Sequence, residues 1–162
     1  MILIAIGSNL NSKLYGSPHD NCIEAIKFLN KYFCISSVSK FYETEPIPKS
    51  NQPWYVNCVI CVKTNFKPLD ILKKILSLEI KFGRMRKLKN ESRIIDLDLL
   101  SYNDLILNHN DLILPHPRMH LRRFVIQPIC DLNPEWVHPV INQKAKILLK
   151  SLAKQKIFYI ND

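Results

Sequence analysis

The apolar positions of this chain change period along its length, and those changes predict its elements. Ile2-Leu3-Ile4-Ala5-Ile6 is an unbroken apolar run ending at Gly7-Ser8-Asn9, which reads as a buried strand entering a turn. After a loop through Ser17-Pro18, Ile23, Ile26 and Leu29 recur at helical spacing. They predict a helix from about Asp20 to Tyr32 with an acidic residue near its start. Residues 34–43 and 54–64 are rich in Val, Ile, Phe and Tyr and predict strands, separated by the Pro-rich polar loop Thr44 to Pro53. A second helix is predicted from Pro68 to Phe82. Pro68 suits its first turn, Gly83 its C′ position, and Leu69, Leu72, Ile75, Leu76 and Phe82 its apolar stripe.

A basic stretch, Arg84 to Asn90, leads into a further predicted strand, Arg93-Ile94-Ile95-Asp96-Leu97-Asp98-Leu99-Leu100. The order to this point is βαββαβ, the pattern of a ferredoxin-like α+β sandwich. Residues 101–115 then predict a short hairpin, 118–131 a helix and 143–154 a closing helix, so the expected fold adds a C-terminal hairpin and helices. There is no internal repeat and no linker composition, and residues 1–162 are expected to form a single domain.

That last strand of the sandwich pattern carries the most informative chemistry. Side chains alternate faces along a strand, so Asp96 and Asp98 point one way while Ile95, Leu97 and Leu99 point the other. Like charges that close repel, and burying one unpaired is costly. A solvated edge face would tolerate them. The aliphatic surroundings and the expected interior position of the strand instead predict a bound cation. Mg²⁺ suits such a pair, as a hard ion that takes oxygen ligands and leaves positions for phosphates.

Composition narrows the partners. The hydrophobic fraction is 47% and the charged fraction 23%, ordinary for a globular protein, and no apolar run reaches the length of a membrane span. The first residues lack a basic leader and cleavage site, so a cytoplasmic location is expected. The net charge of +9 suits a polyanion, whether nucleic acid, an acidic membrane surface or a nucleotide polyphosphate. The five cysteines (Cys22, Cys34, Cys58, Cys61, Cys130) are expected to be free buried thiols, because Cys58 and Cys61 would face opposite sides of a strand and no second pair completes a zinc set.

Three further constellations bear on function. Arg84, Arg86, Lys87, Lys89 and Arg93 fall within ten residues just ahead of the acids. Arginine forks bind phosphate oxygens bidentately, and carboxylates that hold Mg²⁺ beside them form the arrangement that phosphoryl-type transfer requires. A solvated helix end would account for Arg84 and Lys87 but not for Arg93. His116 stands between Pro115 and Pro117 in a basic turn and is either structural or a phosphate contact. Tyr55 and Asn57 share one strand face, where Tyr55 is either core or joins Asn57 in stacking on and hydrogen-bonding a flat heterocycle. No Gly-rich phosphate loop of the Walker type is present.

These segments, taken in order, resemble the 6-hydroxymethyl-7,8-dihydropterin pyrophosphokinase family of folate biosynthesis. The resemblance rests on Ile6-Gly7-Ser8-Asn9-Leu10, Phe41-Tyr42-Glu43-Thr44-Glu45-Pro46, Gln52-Pro53-Trp54-Tyr55-Val56-Asn57, Gly83-Arg84-Met85-Arg86, Arg93 to Asp98, and Leu114-Pro115-His116-Pro117-Arg118-Met119 before Arg122 and Phe124. It implies transfer of a pyrophosphoryl group from ATP to a reduced pterin, giving AMP and the pterin diphosphate. It further implies that Asp96 and Asp98 hold two Mg²⁺ ions bridging the ATP phosphates. Arg93, His116 and Arg122 would contact those phosphates. Arg84 and Arg86 would lie on a loop that closes over the reaction, with Arg86 on ATP. Tyr55 and Phe124 would sandwich the pterin, read along its edge by Asn57 and by groups of Thr44, Glu45 and Ile47. No nucleic acid, membrane or obligatory protein partner is implied.

The chain departs from the family at Asn90-Glu91-Ser92, where many members carry Trp-Gly-Pro, and at Glu45, where some carry Pro. In a regular strand Arg93 would lie on the face opposite Asp96, so it must act from an irregular strand entry or from the loop. Two other readings are an RNA-binding ferredoxin-like module and a metal-dependent nucleotidyltransferase. The first expects an aromatic RNP strand, where this chain has two aspartates. The second leaves Tyr55, Asn57 and Phe124 unexplained.

Overall fold

The computed structural model describes residues 1–83 and 92–161. It is a mixed α+β structure built on one six-stranded sheet whose pairings are all antiparallel. Strand β1 (Ile2–Ser8) is an interior strand, with β4 (Tyr55–Lys63) on one side and β5 (Asp96–Tyr102) on the other. Strands β2 (Cys34–Val38) and β3 (Tyr42–Thr44) both pair with β4, and β8 (Ile157–Tyr159) pairs with β3. A separate two-stranded hairpin joins β6 (Leu107–His109) to β7 (Leu112–Leu114).

Both faces of the sheet are covered, which is why β1 reads as a continuous apolar run rather than an alternating one. Ile2, Ile4 and Ile6 enter a core shared with helices α1 (Pro18–Leu29) and α2 (Pro68–Lys81). Leu3, Val59 and Leu100 enter a second core with α3 (Arg123–Leu132) and α4 (Ala145–Ser151). Cys58 belongs to the first core and Cys61 packs against the second, as their spacing in a strand requires. No helix among the described residues is long and apolar enough to cross a membrane.

Local chemistry sets the helix ends. The Ser17 hydroxyl accepts from the Asp20 backbone N–H while the Asp20 carboxylate accepts from Ser17, a reciprocal cap with Pro18 in the first turn. The helix therefore starts at Pro18, ahead of the expected Asp20. Its fully buried residues are Asn21, Cys22, Ala25 and Leu29, a face rotated from the expected Ile23 side. On α2 the buried face is Ile71, Ile75, Leu78 and Glu79, so a carboxylate occupies a place in the apolar stripe.

Several expectations are corrected. The strand expected over 34–43 is two strands laid end to end along β4, interrupted at Ser39. There the Ser39 backbone N–H donates to the Val59 carbonyl at 2.9 Å, but its hydroxyl, not a carbonyl, accepts the Val59 N–H at 2.9 Å. The side chain stands in for a missing ladder partner and lets the strand bend. The expected helix over 118–131 divides into a 3₁₀ turn at Met119–Leu121 and α3, with Arg122 extended between them. Strand β5 starts at Asp96 rather than Arg93, and it is the sheet's edge, not an interior strand. Cys34 is exposed and Cys61 and Cys130 are partly so; only Cys22 and Cys58 are buried. Strand β8 lies beyond the last element expected from the sequence.

Candidate active site

Register brings the chemistry together. Gly7 pairs with Asn57 on one side and with Asp96 on the other, and Ala5 pairs with Asp98. Side chains two apart share a face, so Tyr55, Asn57, Asp96 and Asp98 all rise from the same side of the sheet as Leu3, Val59 and Leu100. Helices α3 and α4 cover that side only in part. The remainder is a cavity of about 680 Å³, within the range of small-molecule sites.

Gly7 keeps the cavity floor open. A Cβ there would sit 3.0 Å from the Asn57 Oδ1 and 4.0 Å from the Asp96 Cβ, so a side chain would wedge between the two functional rows. At one end the wall is formed by Thr44 to Pro48, Tyr55, Asn57 and Phe124. Asn57 is held by its Nδ2 donating to the Thr44 hydroxyl at 2.8 Å, and both residues are buried. The Phe124 ring lies beneath the Arg122 guanidinium, 5.5 Å from the ring centroid.

At the other end stand Arg93, Asp96, Asp98, His116, Arg118 and Arg122. Arg93 resolves the problem of strand faces by lying outside the strand, in the irregular entry to β5, where its Nη1 donates to the Asp96 Oδ1 at 2.7 Å. Burial works against the Arg93 charge, but the Asp96 carboxylate outweighs it and holds the guanidinium above its usual pKa. Burial lowers the Arg122 pKa, assisted by the neighbouring Arg118. Burial also depresses the His116 pKa, to about 4, with Arg122 and Arg118 pushing the same way. The ring is therefore neutral at pH 7. Its Nδ1 accepts from the Arg118 backbone N–H at 3.3 Å, which leaves the proton on Nε2 as a donor.

The edge position of β5 exposes its outer backbone, and α2 supplies the remedy. The buried Glu79 carboxylate accepts the Leu97 N–H at 2.8 Å, fixing the backbone between the two aspartates. Asp96 and Asp98 are not joined by a third His, Cys, Asp or Glu in any metal-binding group among the described residues. An ion held there would complete its shell with phosphate oxygens and water, the mode that suits Mg²⁺.

Of the residues singled out from the sequence, Thr44, Glu45, Ile47, Tyr55, Asn57, Arg93, Asp96, Asp98, His116, Arg122 and Phe124 all line this cavity. Arg84 and Arg86, with Lys87, Lys89 and the Asn90-Glu91 part of the departure, lie outside the described residues. Gly7, Glu79 and Arg118 join the site without being among the residues expected from the sequence. Signals existed for two of them: a scarce glycine ending an apolar strand, and a carboxylate at a helical apolar position.

Comparison with known proteins follows the same pattern. Residues 3–134 match the family model described as 7,8-dihydro-6-hydroxymethylpterin-pyrophosphokinase (HPPK). The chain is 34% identical over 158 residues to the 2-amino-4-hydroxy-6-hydroxymethyldihydropteridine pyrophosphokinase of Haemophilus influenzae, covering 98% of this chain and 96% of that protein. It is 37% identical over 142 residues to the folic acid synthesis protein FOL1 of Dictyostelium discoideum, covering 88% of this chain but only 21% of that longer protein. In three dimensions it resembles the wild-type HPPK-DHPS of Plasmodium falciparum. The TM-score is 0.73 at 16% identity, covering 93% of this chain and 44% of the other.

Proposed function

The chain belongs to the 7,8-dihydro-6-hydroxymethylpterin-pyrophosphokinase family, and from that premise we propose that it transfers pyrophosphate from ATP to 6-hydroxymethyl-7,8-dihydropterin in folate biosynthesis. The products are AMP and the pterin diphosphate. One observation carries the reading: a single cavity joins an end shaped for a flat heterocycle to an end bearing two carboxylates, arginines and a histidine.

In this reaction the hydroxymethyl oxygen forms a bond to the β-phosphorus of ATP. The bond from that phosphorus to the α,β-bridging oxygen breaks, AMP departs with the electron pair, and the hydroxyl proton passes to water. The protein's share is positioning and charge neutralisation rather than strong base catalysis. Tyr55 and Phe124 hold the pterin ring between them, and Asn57 reads its edge together with Thr44, Glu45 and Ile47. Asp96 and Asp98 would hold Mg²⁺, two ions on this reading, and the metal would supply neutralisation of the phosphate charge. Arg93, Arg122 and the neutral His116 donate to phosphate oxygens, with Arg84 and Arg86 acting from the segment before Arg93.

The strand order β5-β1-β4 followed by β2 and β3, with α1 and α2 on one face, supports a ferredoxin-like sandwich in a single domain. The substrates are ATP and the reduced pterin, with no nucleic acid. Two aspartates facing the cavity disfavour a phosphate backbone there, and the aromatic end has no use in a plain nucleotidyltransferase. An assay of AMP release with and without the pterin tests the proposal. ADP as product, or AMP release independent of the pterin, would rule it out.

A further inference from the structure

Asn9, the residue after β1, is absent from the cavity wall and is only 2% exposed, yet it touches both segments that frame the cavity. Its Oδ1 accepts the Arg93 backbone N–H at 2.8 Å, and its own backbone N–H donates to the Arg93 carbonyl at 3.1 Å. Its Nδ2 reaches the other way, to the Pro53 carbonyl at 3.2 Å and the Gln52 Oε1 at 3.4 Å, and also to the Ser92 hydroxyl at 3.5 Å. Gln52 in turn accepts from the Tyr55 hydroxyl at 3.4 Å.

We infer that Asn9 is a positioning residue that couples the pterin end of the cavity to its phosphate end; the inference rests on the function proposed above. A carboxamide offers one acceptor and two donor hydrogens. Here the acceptor is committed to Arg93, while two donors serve three acceptors drawn from both segments. Whatever sets Gln52 and Tyr55 against a bound heterocycle therefore decides how the Asn9 amide is divided, and the amide holds the backbone that carries Arg93. A buried amide pays heavily for an unmade bond, so the two segments favour one joint arrangement over independent ones. Coupling of this kind is reciprocal: occupancy at either end strengthens binding at the other by the same factor.

The test is calorimetric. The dissociation constant of 6-hydroxymethyl-7,8-dihydropterin is measured with and without saturating Mg²⁺ and α,β-methylene-ATP, and the ratio of the two values is the coupling factor. Asn9→Asp keeps the acceptor for the Arg93 N–H but removes both donors, and it is expected to reduce the coupling factor about fivefold or more. Gln52→Ala, a loop substitution that tests the same link if Asn9→Asp does not fold, is expected to reduce it in the same direction. A coupling factor near one in the wild-type protein would overturn the inference. So would variants that lose pterin affinity equally in both states with the ratio preserved, the signature of a merely structural role. A wild-type protein that binds no pterin would overturn the proposed function, and the inference with it.

Discussion

Arg93 and Asp96 form an ion pair at 2.7 Å, although three residues apart they would face away from each other in a regular strand. The pair exists because the backbone is irregular until Asp96, and it sets a competition. The guanidinium occupies a carboxylate oxygen that, on the function proposed above, a cation would also use. Arg93→Ala should therefore bind Mg²⁺ about threefold to tenfold more tightly in the absence of nucleotide, the scale of one part-exposed ion pair. It should nonetheless turn over at least about a hundredfold more slowly, for want of a phosphate contact. Metal titration beside steady-state kinetics separates the two effects. Unchanged metal affinity would show that the ion does not use Asp96.

Asp96→Ala and Asp98→Ala should each lower Mg²⁺-dependent AMP formation by about a thousandfold or more while leaving the melting temperature close to wild type. Both carboxylates face the cavity rather than a core, so their removal leaves no buried void. Chelation with EDTA should abolish activity of the wild-type protein, with recovery on adding Mg²⁺. Full activity in either variant would refute the metal assignment.

Gly7→Ala probes the open floor. The new methyl would meet the Asn57 Oδ1 at 3.0 Å. A contact that tight must be relieved by displacing Asn57, at a cost of about 1–3 kcal/mol. The expected result is a KM for the pterin raised about tenfold, with the KM for ATP changed far less. Equal effects on both substrates would argue for a general distortion of β1.

Histidine burial gives a stability profile with a definite sign. The His138 Nδ1 accepts the Val140 and Ile141 N–H groups, both at 3.2 Å. Burial, with His120 nearby, lowers its pKa from 6.5 to about 4. His116 shifts over the same interval, chiefly through burial and Arg122. The unfolded chain therefore binds more protons than the folded one between these values. This contribution to stability is complete above about pH 6.5, declines as the pH falls towards 4 and changes no further below that. His138→Asn keeps an acceptor for the two N–H groups and removes the titration. Its denaturation free energy should fall less steeply across the interval than that of wild type, and equal slopes would contradict the assignment.

Ser39→Ala leaves the Val59 N–H buried without its acceptor and should cost about 1–3 kcal/mol of stability. The loss is readable as a lower denaturation midpoint. Activity of the folded fraction should be unchanged, since Ser39 lies away from the cavity lining.

Much of this was legible in the chain, for physical reasons that can be named. Apolar period marked β1, α1, β4 and α2, because these elements bury long stretches. The Asp96–Asp98 spacing marked one face of β5, because a strand has no other way to place such residues. The break at Ser39 was hidden, since a serine in a Val- and Ile-rich run gives no sign that its hydroxyl will replace a backbone carbonyl. The edge position of β5 was hidden too, because the device that protects it, Glu79, sits on the preceding helix α2 and not on the strand itself. Strand β8 is short, and it pairs through Tyr42, Glu43 and Thr44, a contact far apart in sequence. The roles of Gly7 and Asn9 depend on which strands lie beside β1, and a linear pattern does not carry that information.

Asn57, Gly7 and Asp96 stand in one row across three hydrogen-bonded strands. Neighbouring strands are held about 4.8 Å apart, so Asn57 at one end of the cavity and Asp96 at the other are separated by about 10 Å of backbone ladder. On the proposed reading the sheet is a ruler, gauging the span between ring and polyphosphate by its own lattice rather than by the loops above it. Changes in those loops would then leave the distance over which the reaction takes place unaltered.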